Sequence, residues 1–178
     1  PVAGASEGRV GSSELNELVG RPMRWRMHDL KARGVVCERV LAQDLPYVTA
    51  DARQIQQVLL NLLTNASQAM APAGGGSLRI ETRQDDDRVM LDITDSGPGI
   101  PAEVRAHIFE PFFTTKDDGT GLGLSVSYGI IAAHGGTITI PKSTSEGTTF
   151  CVSLPAYNAS ANGSGGIANV LTAPSPLE

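Results

Sequence analysis

Residues 109–125 read FEPFFTTKDDGTGLGLS, and the rest of the chain is organised around this stretch. It begins with three aromatic residues within five positions, continues through a short polar segment, and ends in an apolar run with a helical pattern. Gly119, Gly121 and Gly123 stand just before that run. Glycines at a helix start leave backbone N–H groups open to a ligand, and the helix dipole favours an anion there. The stretch therefore indicates a phosphate site, although an ordinary loop before a helix would show the same pattern.

The composition describes an acidic globular chain. With 178 residues, of which 40% are hydrophobic, the chain is long enough for one domain with a packed core. The net charge of -5 argues against nucleic acid as a partner. Cys37 and Cys151 lie outside any metal-ligand spacing and are expected to be buried thiols of a cytoplasmic protein. No apolar run approaches the roughly 18 residues of a membrane span, so no membrane contact is expected.

The clearest predicted element is a helix over residues 52–70, with Asp51 as its N-cap. Apolar residues repeat at three- and four-residue spacing and mark one buried face: Ile55, Val58, Leu59, Leu62, Leu63, Ala66, Ala69 and Met70. Beside that face, Gln57, Asn61 and Asn65 fall four residues apart and form one row.

The remaining pattern predicts an α+β fold. Helices are expected over residues 14–33 (interrupted at Gly20 and Pro22), 102–108 and 122–134, the last closed by Gly135 and Gly136. Strands are expected over residues 35–41, 77–83, 88–94, 137–141 and 148–154, with a connector over 46–50. We expect a two-layer sandwich, a mixed sheet of about five strands with three main helices on one face. The predicted domain covers residues 14–155, between a lead-in of residues 1–13 and a flexible tail or linker of residues 156–178.

Several polar residues in this framework suit a nucleotide. Asn is a poor helix former, so Asn61 and Asn65 in one row need a reason, and an amide oxygen is a hard ligand suited to Mg²⁺. Asp95 ends an apolar strand, where a carboxylate can accept a hydrogen bond from the exocyclic amine of a purine. Lys116 offers a mobile charge for a terminal phosphate. Taken singly, each residue also fits a solvent-facing or turn position.

Two further positions flank Asp95 in this interpretation. Gly97 and Gly99 would let the base approach the backbone closely. Thr148 would supply a hydroxyl at the start of a strand or a water-mediated contact to the base, while plain strand propensity explains it equally well.

The order of these segments resembles a known family. The segments NLLTNA (61–66), DSGPGI (95–100), FEPFF (109–113) and GTGLGL (119–124) resemble the asparagine box, first glycine box, phenylalanine box and second glycine box of the ATP-binding catalytic domain of sensor histidine kinases. The resemblance extends over residues 15–154. It implies the ATP-binding sandwich that this family shares with type II topoisomerases, a mismatch-repair ATPase family and certain chaperones.

The resemblance also implies site roles. Asn65 matches the Mg²⁺ ligand and Asp95 the aspartate that reads adenine. Residues 112–119 match the mobile lid, with Thr114 to Asp118 as its short variable part, and Lys116 resembles a lid lysine that reaches the terminal phosphate. The remaining matches to the nucleotide-binding positions are Ala69, Gly97, Gly99, Ile100, Gly119, Thr120, Gly121, Leu122, Gly123, Leu124 and Thr148.

Asn61 helps to separate the subfamilies. The resemblance implies that ATP-hydrolysing relatives have a glutamate at this position, where it acts as a general base. An amide cannot take a proton at neutral pH, so Asn61 favours phosphotransfer over hydrolysis. The expected function is therefore binding of Mg-ATP and donation of its γ-phosphate to a histidine on a separate dimerisation domain, in a pathway with a response regulator. An ATPase of the same superfamily and a nucleotide-binding regulatory module remain alternatives.

The histidines of the chain carry no predicted catalytic role. His28 stands in a segment that resembles the start of a phosphoacceptor box, but the family's proline is missing after it, so a surface position is expected. His107 and His134 are expected inside helices, away from any nucleophile–base pair. The full-length protein is expected to be cytoplasmic in its catalytic part, with a membrane anchor elsewhere as one option.

Overall fold

The computed structural model describes residues 11–116 and 119–157 of the chain. The helices are α1 (Leu15–Ala32), α2 (Ala52–Met70), the short α3 (Ala102–Arg105) and α4 (Gly123–Ala133). The strands are β1 (Gly11–Ser13), β2 (Val35–Leu41), β3 (Val48–Ala50), β4 (Gly76–Asp85), β5 (Arg88–Asp95), β6 (Thr137–Thr144) and β7 (Gly147–Pro155).

Five strands form a mixed sheet in the order β2-β4-β5-β7-β6, which confirms the predicted α+β class. The pair β2–β4 is parallel and the other pairs are antiparallel. In β5 buried and half-buried residues alternate along the strand, as expected of a strand whose one face packs on helices. The register brings Asp95, the last residue of β5, opposite Thr148 of β7. The sheet therefore joins two predicted site residues.

Helix α2 runs along the helix layer and has the bounds that the apolar spacing predicted. Its N-cap is Asp51, whose Oδ1 accepts hydrogen bonds from the N–H groups of Arg53 at 2.8 Å and Gln54 at 3.3 Å. The predicted apolar face is buried, except that Ala69 is half-buried. This exception matters because Ala69 belongs to the predicted site.

The first third of the chain differs from the sequence-based prediction. Helix α1 continues without interruption through Gly20 and Pro22. Burial of neighbouring residues such as Val19 and Met23 outweighs the low helix propensity of this glycine and proline. The predicted connector contains β3, which pairs with β1 from the predicted lead-in. These two strands of three residues form a separate two-stranded sheet, and strands this short give too little periodicity to be found from the sequence.

Other boundaries shift for local reasons. Strand β6 continues past Pro141, since β6 is an edge strand and has a register shift between Thr139 and Lys142 at the proline. Helix α3 ends at Arg105 rather than at residue 108, and α4 begins at Gly123 rather than Leu122.

The histidines and cysteines take structural positions. His28 is exposed, as expected. His107 lies after α3, not within a helix, and its Nδ1 is 2.8 Å from Oε1 of Glu110. His134 follows the last residue of α4 and joins it to α2, since its Nδ1 donates to the carbonyl of Ile130 at 2.7 Å and its Nε2 accepts from the Asp51 N–H at 3.0 Å.

Of the two thiols, Cys151 is buried as expected, and burial together with Asp92 raises its pKa to about 12. Cys37 is only half-buried, because it lies on the edge strand β2.

The ends of the predicted domain are partly described. Tyr157 donates its N–H to the carbonyl of Tyr47 at 2.6 Å, and Ala156 bridges Val48, so the first two residues of the predicted tail are tied to the fold. The rest of the predicted lead-in (1–10) and tail (158–178) lies outside the described residues, as do Asp117 and Asp118 of the predicted lid. In the described part of the chain, every helix is too short or too polar to cross a membrane.

Candidate functional site

The candidate site is arranged along α2. Asn61, Asn65 and Ala69 follow one another at four-residue intervals, so they lie on one side of the helix and span about 12 Å along its axis. Asn61 contacts the second glycine segment, Asn65 contacts the lid, and Ala69 lies beside the first glycine segment. A row of this length has the dimensions of an extended nucleotide rather than of a single small ligand.

Asn61 joins α2 to the start of α4. Its Nδ2 donates to the carbonyl of Gly123 at 3.0 Å and to the hydroxyl of Ser127 at 3.1 Å, and its Oδ1 accepts from Gln57 at 3.1 Å. Ser127 is fully buried and itself donates to the carbonyl of Gly123 at 2.8 Å. The amide of Asn61 therefore fixes where the glycine-rich helix start lies relative to α2.

Asn65, one turn further along, contacts the predicted lid. Its Oδ1 accepts a hydrogen bond from Nζ of Lys116 at 3.2 Å. The same ammonium group also donates to Oε1 of Gln68. Partial burial lowers the pKa of Lys116 from its usual value. The structure thus brings the predicted metal ligand and the predicted phosphate-binding lysine into direct contact.

Ala69 lies beside the first glycine segment. A Cβ atom placed on Gly97 would be 3.1 Å from Cβ of Ala69 and 2.8 Å from Oδ1 of Asp95, so only glycine fits there without a shift. The N–H of Gly97 donates to that same oxygen of Asp95 at 2.8 Å. Ala69, Asp95 and Gly97 therefore form one end of the site.

Asp95 is a buried carboxylate with 5% of its surface exposed. Burial raises its pKa above the ordinary value, while hydrogen bonds from backbone groups of Gly97 and Thr148 partly oppose this shift. A buried carboxylate held by backbone donors on one side is suited to accept a hydrogen bond from a ligand on the other.

The loop after Asp95 is held against the β6–β7 hairpin. Gly99 has φ +79°, and a Cβ there would collide with the backbone oxygen of Thr144. The N–H of Ile100 donates to the hydroxyl of Ser143 at 2.7 Å, and that hydroxyl lies 3.1 Å from Oγ1 of Thr148. Thr148 is buried, so its hydroxyl is part of this internal network.

The second glycine segment forms the other end of the site. Gly121 has φ +67° and packs against the backbone of Phe112, whose N–H donates to the Gly121 carbonyl at 2.9 Å. Leu122 occupies the N-cap position of α4, and its N–H lies 3.4 Å from Oγ1 of Thr120. Among the described residues no side chain caps this helix, so its first N–H groups are available for an anion.

The remaining predicted residues of this segment divide by exposure. Thr120 and Leu122 are exposed, whereas Leu124 is half-buried and packs against the core. Gly119 is half-buried and packs against Thr114, and its N–H donates to the carbonyl of Lys116 at 3.2 Å.

The donors available for a metal agree with magnesium. The described residues contain no group of three or more His, Cys, Asp and Glu side chains suited to a metal ion. Mg²⁺ needs few protein ligands when phosphates and water complete its octahedron, and an amide oxygen is one of its accepted ligands. Oδ1 of Asn65 already faces a cation, the ammonium group of Lys116. Asn65 therefore fits the role of a single protein ligand to Mg²⁺.

Three residues of this network were missed from the sequence. Gln68 is three residues after Asn65 on the same helix face, but nothing in the sequence shows that folding brings Lys116 to it. Ser143 lies beyond Pro141, where the sequence predicts the end of the strand, whereas β6 includes it. Ser127 looked like an ordinary helix residue, and no local pattern indicates that it is buried.

A cavity of about 150 Å³ lies between α1 and α2, away from most of the predicted residues. It is lined by Arg26, Asp29, Leu30, Arg33, Leu63, Thr64, Ser67 and Gln68. Only Gln68 belongs to both this cavity and the network described above.

Comparison with known proteins gives consistent results. The sequence model of the histidine kinase-, DNA gyrase B- and HSP90-like ATPase family matches residues 50–158. Sensor histidine kinase ZraS from Escherichia coli (strain K12) is 37% identical over 142 residues, which are 80% of this chain and 30% of ZraS. This chain spans 14% to 31% of the length of the first curated relatives that it matches.

Solved structures show the same architecture. The catalytic domain of the histidine kinase ThkA superposes with a TM-score of 0.74 at 32% identity, covering 83% of this chain and 96% of that domain. Full-length ShkA in complex with AMPPNP superposes with a TM-score of 0.76 at 28% identity, covering 88% of this chain and 33% of ShkA. ThkA has also been solved in complex with the response regulator protein TrrA.

Proposed function

We propose, since this chain belongs to the family of histidine kinase-, DNA gyrase B- and HSP90-like ATPases, that it is the ATP-binding catalytic domain of a sensor histidine kinase. In this proposal the domain, residues 14–155, binds Mg-ATP and presents the γ-phosphate to a histidine on a separate dimerisation domain. Phosphoryl transfer asks the protein for positioning and charge stabilisation more than for covalent chemistry.

One observation carries the proposal: a single face of α2 contacts the second glycine segment, the lid lysine and the first glycine segment. Asn61 bonds to Gly123 at the start of α4, Asn65 bonds to the lid lysine, and Ala69 packs beside Gly97 next to Asp95. Because these contacts follow one another along the helix, a nucleotide can lie beside α2 with its base at one end and its phosphates at the other.

At the base end, Asp95 would accept a hydrogen bond from the exocyclic amine of adenine. Gly97 and Gly99 keep side-chain atoms away from the ring, which lets the base approach the backbone. Thr148 is buried in a network with Ser143, so its role is to orient the walls of this end rather than to present a free hydroxyl.

At the phosphate end, the N–H groups at the start of α4 and the ammonium group of Lys116 would hold the phosphate oxygens. Bound Mg²⁺, held by Asn65, would neutralise charge on the phosphates. Asn61 would not act as a base, because both of its amide atoms are engaged with Gln57, Gly123 and Ser127, and an amide does not accept a proton at neutral pH.

The alternatives make different demands on the site. An ATPase of the same superfamily would need a group that activates water, and Asn61 is unsuited to that role. A regulatory module would bind nucleotide without transferring phosphate. The contact network around Asn65 and Asp95 favours a working site, and only a transfer assay separates these cases.

Binding is tested by calorimetric titration with AMPPNP in the presence and absence of Mg²⁺. Phosphate transfer is then tested with ATP and a histidine-bearing dimerisation domain. We expect Mg²⁺-dependent binding and formation of phosphohistidine. Binding without any phosphohistidine would favour the regulatory module, and steady ATP hydrolysis by the domain alone would favour the ATPase.

The proposed partners follow from the proposed reaction. They are the dimerisation domain of the same full-length protein and a response regulator that receives the phosphate. We place this domain in the cytoplasm, where ATP is available, with an anchor elsewhere in the full-length protein as one arrangement.

A further inference from the structure

The contact between the lid lysine and α2 affects how tightly magnesium nucleotides can bind. Nζ of Lys116 lies 3.2 Å from Oδ1 of Asn65 and also donates to Oε1 of Gln68. Asn65 and Gln68 are three residues apart and face the same side of α2. The lysine is therefore held by two amide oxygens, one of which is the proposed metal ligand.

A metal ion and an ammonium group cannot share that oxygen at close range. Mg²⁺ binds oxygen at about 2.1 Å and requires near-ideal octahedral geometry, which leaves no room for a second cation at hydrogen-bond distance. Two positive charges on one oxygen would also repel each other. Metal binding to Asn65 thus requires that Lys116 move away.

We propose that Lys116 and Mg²⁺ compete for Asn65 and that Gln68 holds the lysine on the competing side. This competition lowers the affinity for every magnesium nucleotide, and only a nucleotide with a terminal phosphate recovers the loss through a new contact with the lysine. The inference rests on the proposed function. When Mg-ATP binds, the displaced ammonium group gains the terminal phosphate. When Mg-ADP binds, the same two hydrogen bonds are lost without that compensation.

Two variants separate the parts of this competition. Lys116→Met removes both the competing cation and the contact to the terminal phosphate. Gln68→Leu weakens the hold on the lysine but leaves the lysine free to reach the phosphate. Both side chains are exposed, so neither change is expected to disturb the fold. Lys142→Met and Gln54→Leu are matched controls at exposed positions outside the contact.

The experiment measures the affinities of Mg-ADP and Mg-AMPPNP by calorimetry for the five proteins. We expect Lys116→Met to bind Mg-ADP about fivefold more tightly than wild type and Mg-AMPPNP less tightly, because a hydrogen bond at a partly exposed site is worth a modest amount. We expect Gln68→Leu to bind both nucleotides about threefold more tightly, for the same reason. Both controls should match wild type.

A second readout does not depend on nucleotide. Hydrogen exchange of residues 114–116 should be faster in Gln68→Leu than in wild type or Gln54→Leu, because the lysine has lost one of its two acceptors. Equal exchange in all three proteins would show that Gln68 does not hold the lid.

The outcomes distinguish failure of this inference from failure of the proposed function. If wild type binds Mg-AMPPNP but neither variant changes its Mg-ADP affinity, the competition is refuted and the proposed function stands. If wild type binds neither nucleotide, the proposed function fails and the competition with it.

Discussion

The two ends of the candidate site are built from different kinds of structure. At the base end, Asp95, Gly97 and Thr148 are buried, and the first and last of these lie opposite each other on neighbouring strands. At the phosphate end, Lys116 and Thr120 are exposed and lie on a loop. The base end is thus fixed by folding of the sheet, whereas the phosphate end depends on contacts made by a surface segment.

This difference has an energetic meaning. The residues at the base end are already ordered when the domain folds, so a ligand that binds there does not lose affinity to the entropy cost of ordering them. Exposed loops open at low cost, and ordering them on binding reduces the net affinity. We therefore expect changes at the base end to affect both stability and binding, and changes at the phosphate end to affect mainly binding.

The largest expected effect is at the base end. Asp95→Asn replaces the carboxylate by an amide, which removes the charged acceptor for the exocyclic amine and presents donor hydrogens in its place. We expect the affinity for AMPPNP to fall by about a hundredfold, because hydrogen bonds to charged groups in buried sites are strong. Calorimetry measures the loss. Unchanged affinity would remove Asp95 from the base end of the site.

The second prediction compares one glycine from each end. Gly99→Ala places a Cβ at positive φ against the backbone oxygen of Thr144 in a β-hairpin, and we expect a loss of about 2–4 kcal/mol in the free energy of unfolding. Gly121→Ala places a Cβ at positive φ against the backbone of Phe112 in a loop that can shift, and we expect a loss of about 1 kcal/mol. Chemical denaturation measures both values.

Binding is the second measurement on the same two variants, and both are expected to lose affinity. In conditions where both are folded, Gly121→Ala should weaken AMPPNP binding about tenfold, since it displaces the N–H groups at the start of α4. Gly129→Ala is a control, because a Cβ on this glycine of α4 meets no neighbouring atom. Equal stability losses at Gly99 and Gly121 would contradict the contrast between the two ends.

Much of the fold was predictable because its signals are local. The bounds of α2 were predicted because apolar residues repeat at helical spacing and Asp51 caps the first turn. The β1–β3 pair was not predictable, since three residues on each side carry no periodicity and the pairing joins distant parts of the chain. The continuity of α1 through Pro22 depends on tertiary burial that no local rule contains.

The site was predictable to the extent that its residues lie at special backbone positions. Gly97, Gly99 and Gly121 all lie where a Cβ would meet neighbouring protein atoms, and Gly99 and Gly121 also have positive φ, so the glycines themselves are the local signal. Gln68 and Ser143 were missed because their importance comes from the partners that folding brings to them, Lys116 and Ile100. Contacts between surface side chains are set by tertiary geometry, so a single sequence carries little signal for them.

The third prediction tests the metal role at the phosphate end. Asn65→Ala should weaken AMPPNP binding about tenfold in the presence of Mg²⁺ and much less in its absence, because it removes the proposed metal ligand. The matched control is Gln54→Ala, at an exposed position of α2 outside the site network. If Asn65→Ala weakens binding equally with and without Mg²⁺, its role is in contacting the nucleotide itself.

The smallest expected effect concerns stability and pH at the base end. Burial raises the pKa of Asp95 in the folded protein above its ordinary value, so between these two pKa values the folded state binds more protons than the unfolded state. Stability contributed by this group is therefore present at acidic pH and is lost as the pH rises through the folded-state pKa. This dependence is opposite to that of a carboxylate stabilised by an ion pair.

In Asp95→Asn the titratable carboxyl group is absent, so the difference in stability between wild type and this variant reports the titration of Asp95. At pH values near 3.8 the two proteins should differ little, and as the pH rises to neutrality wild type should become less stable than the variant. Denaturation of both proteins across this pH range gives the difference. The opposite result, a variant less stable than wild type at neutral pH, would mean that backbone donors from Gly97 and Thr148 stabilise the carboxylate more than burial destabilises it. The same negative charge that accepts a hydrogen bond from the ligand would then also stabilise the base end of the fold.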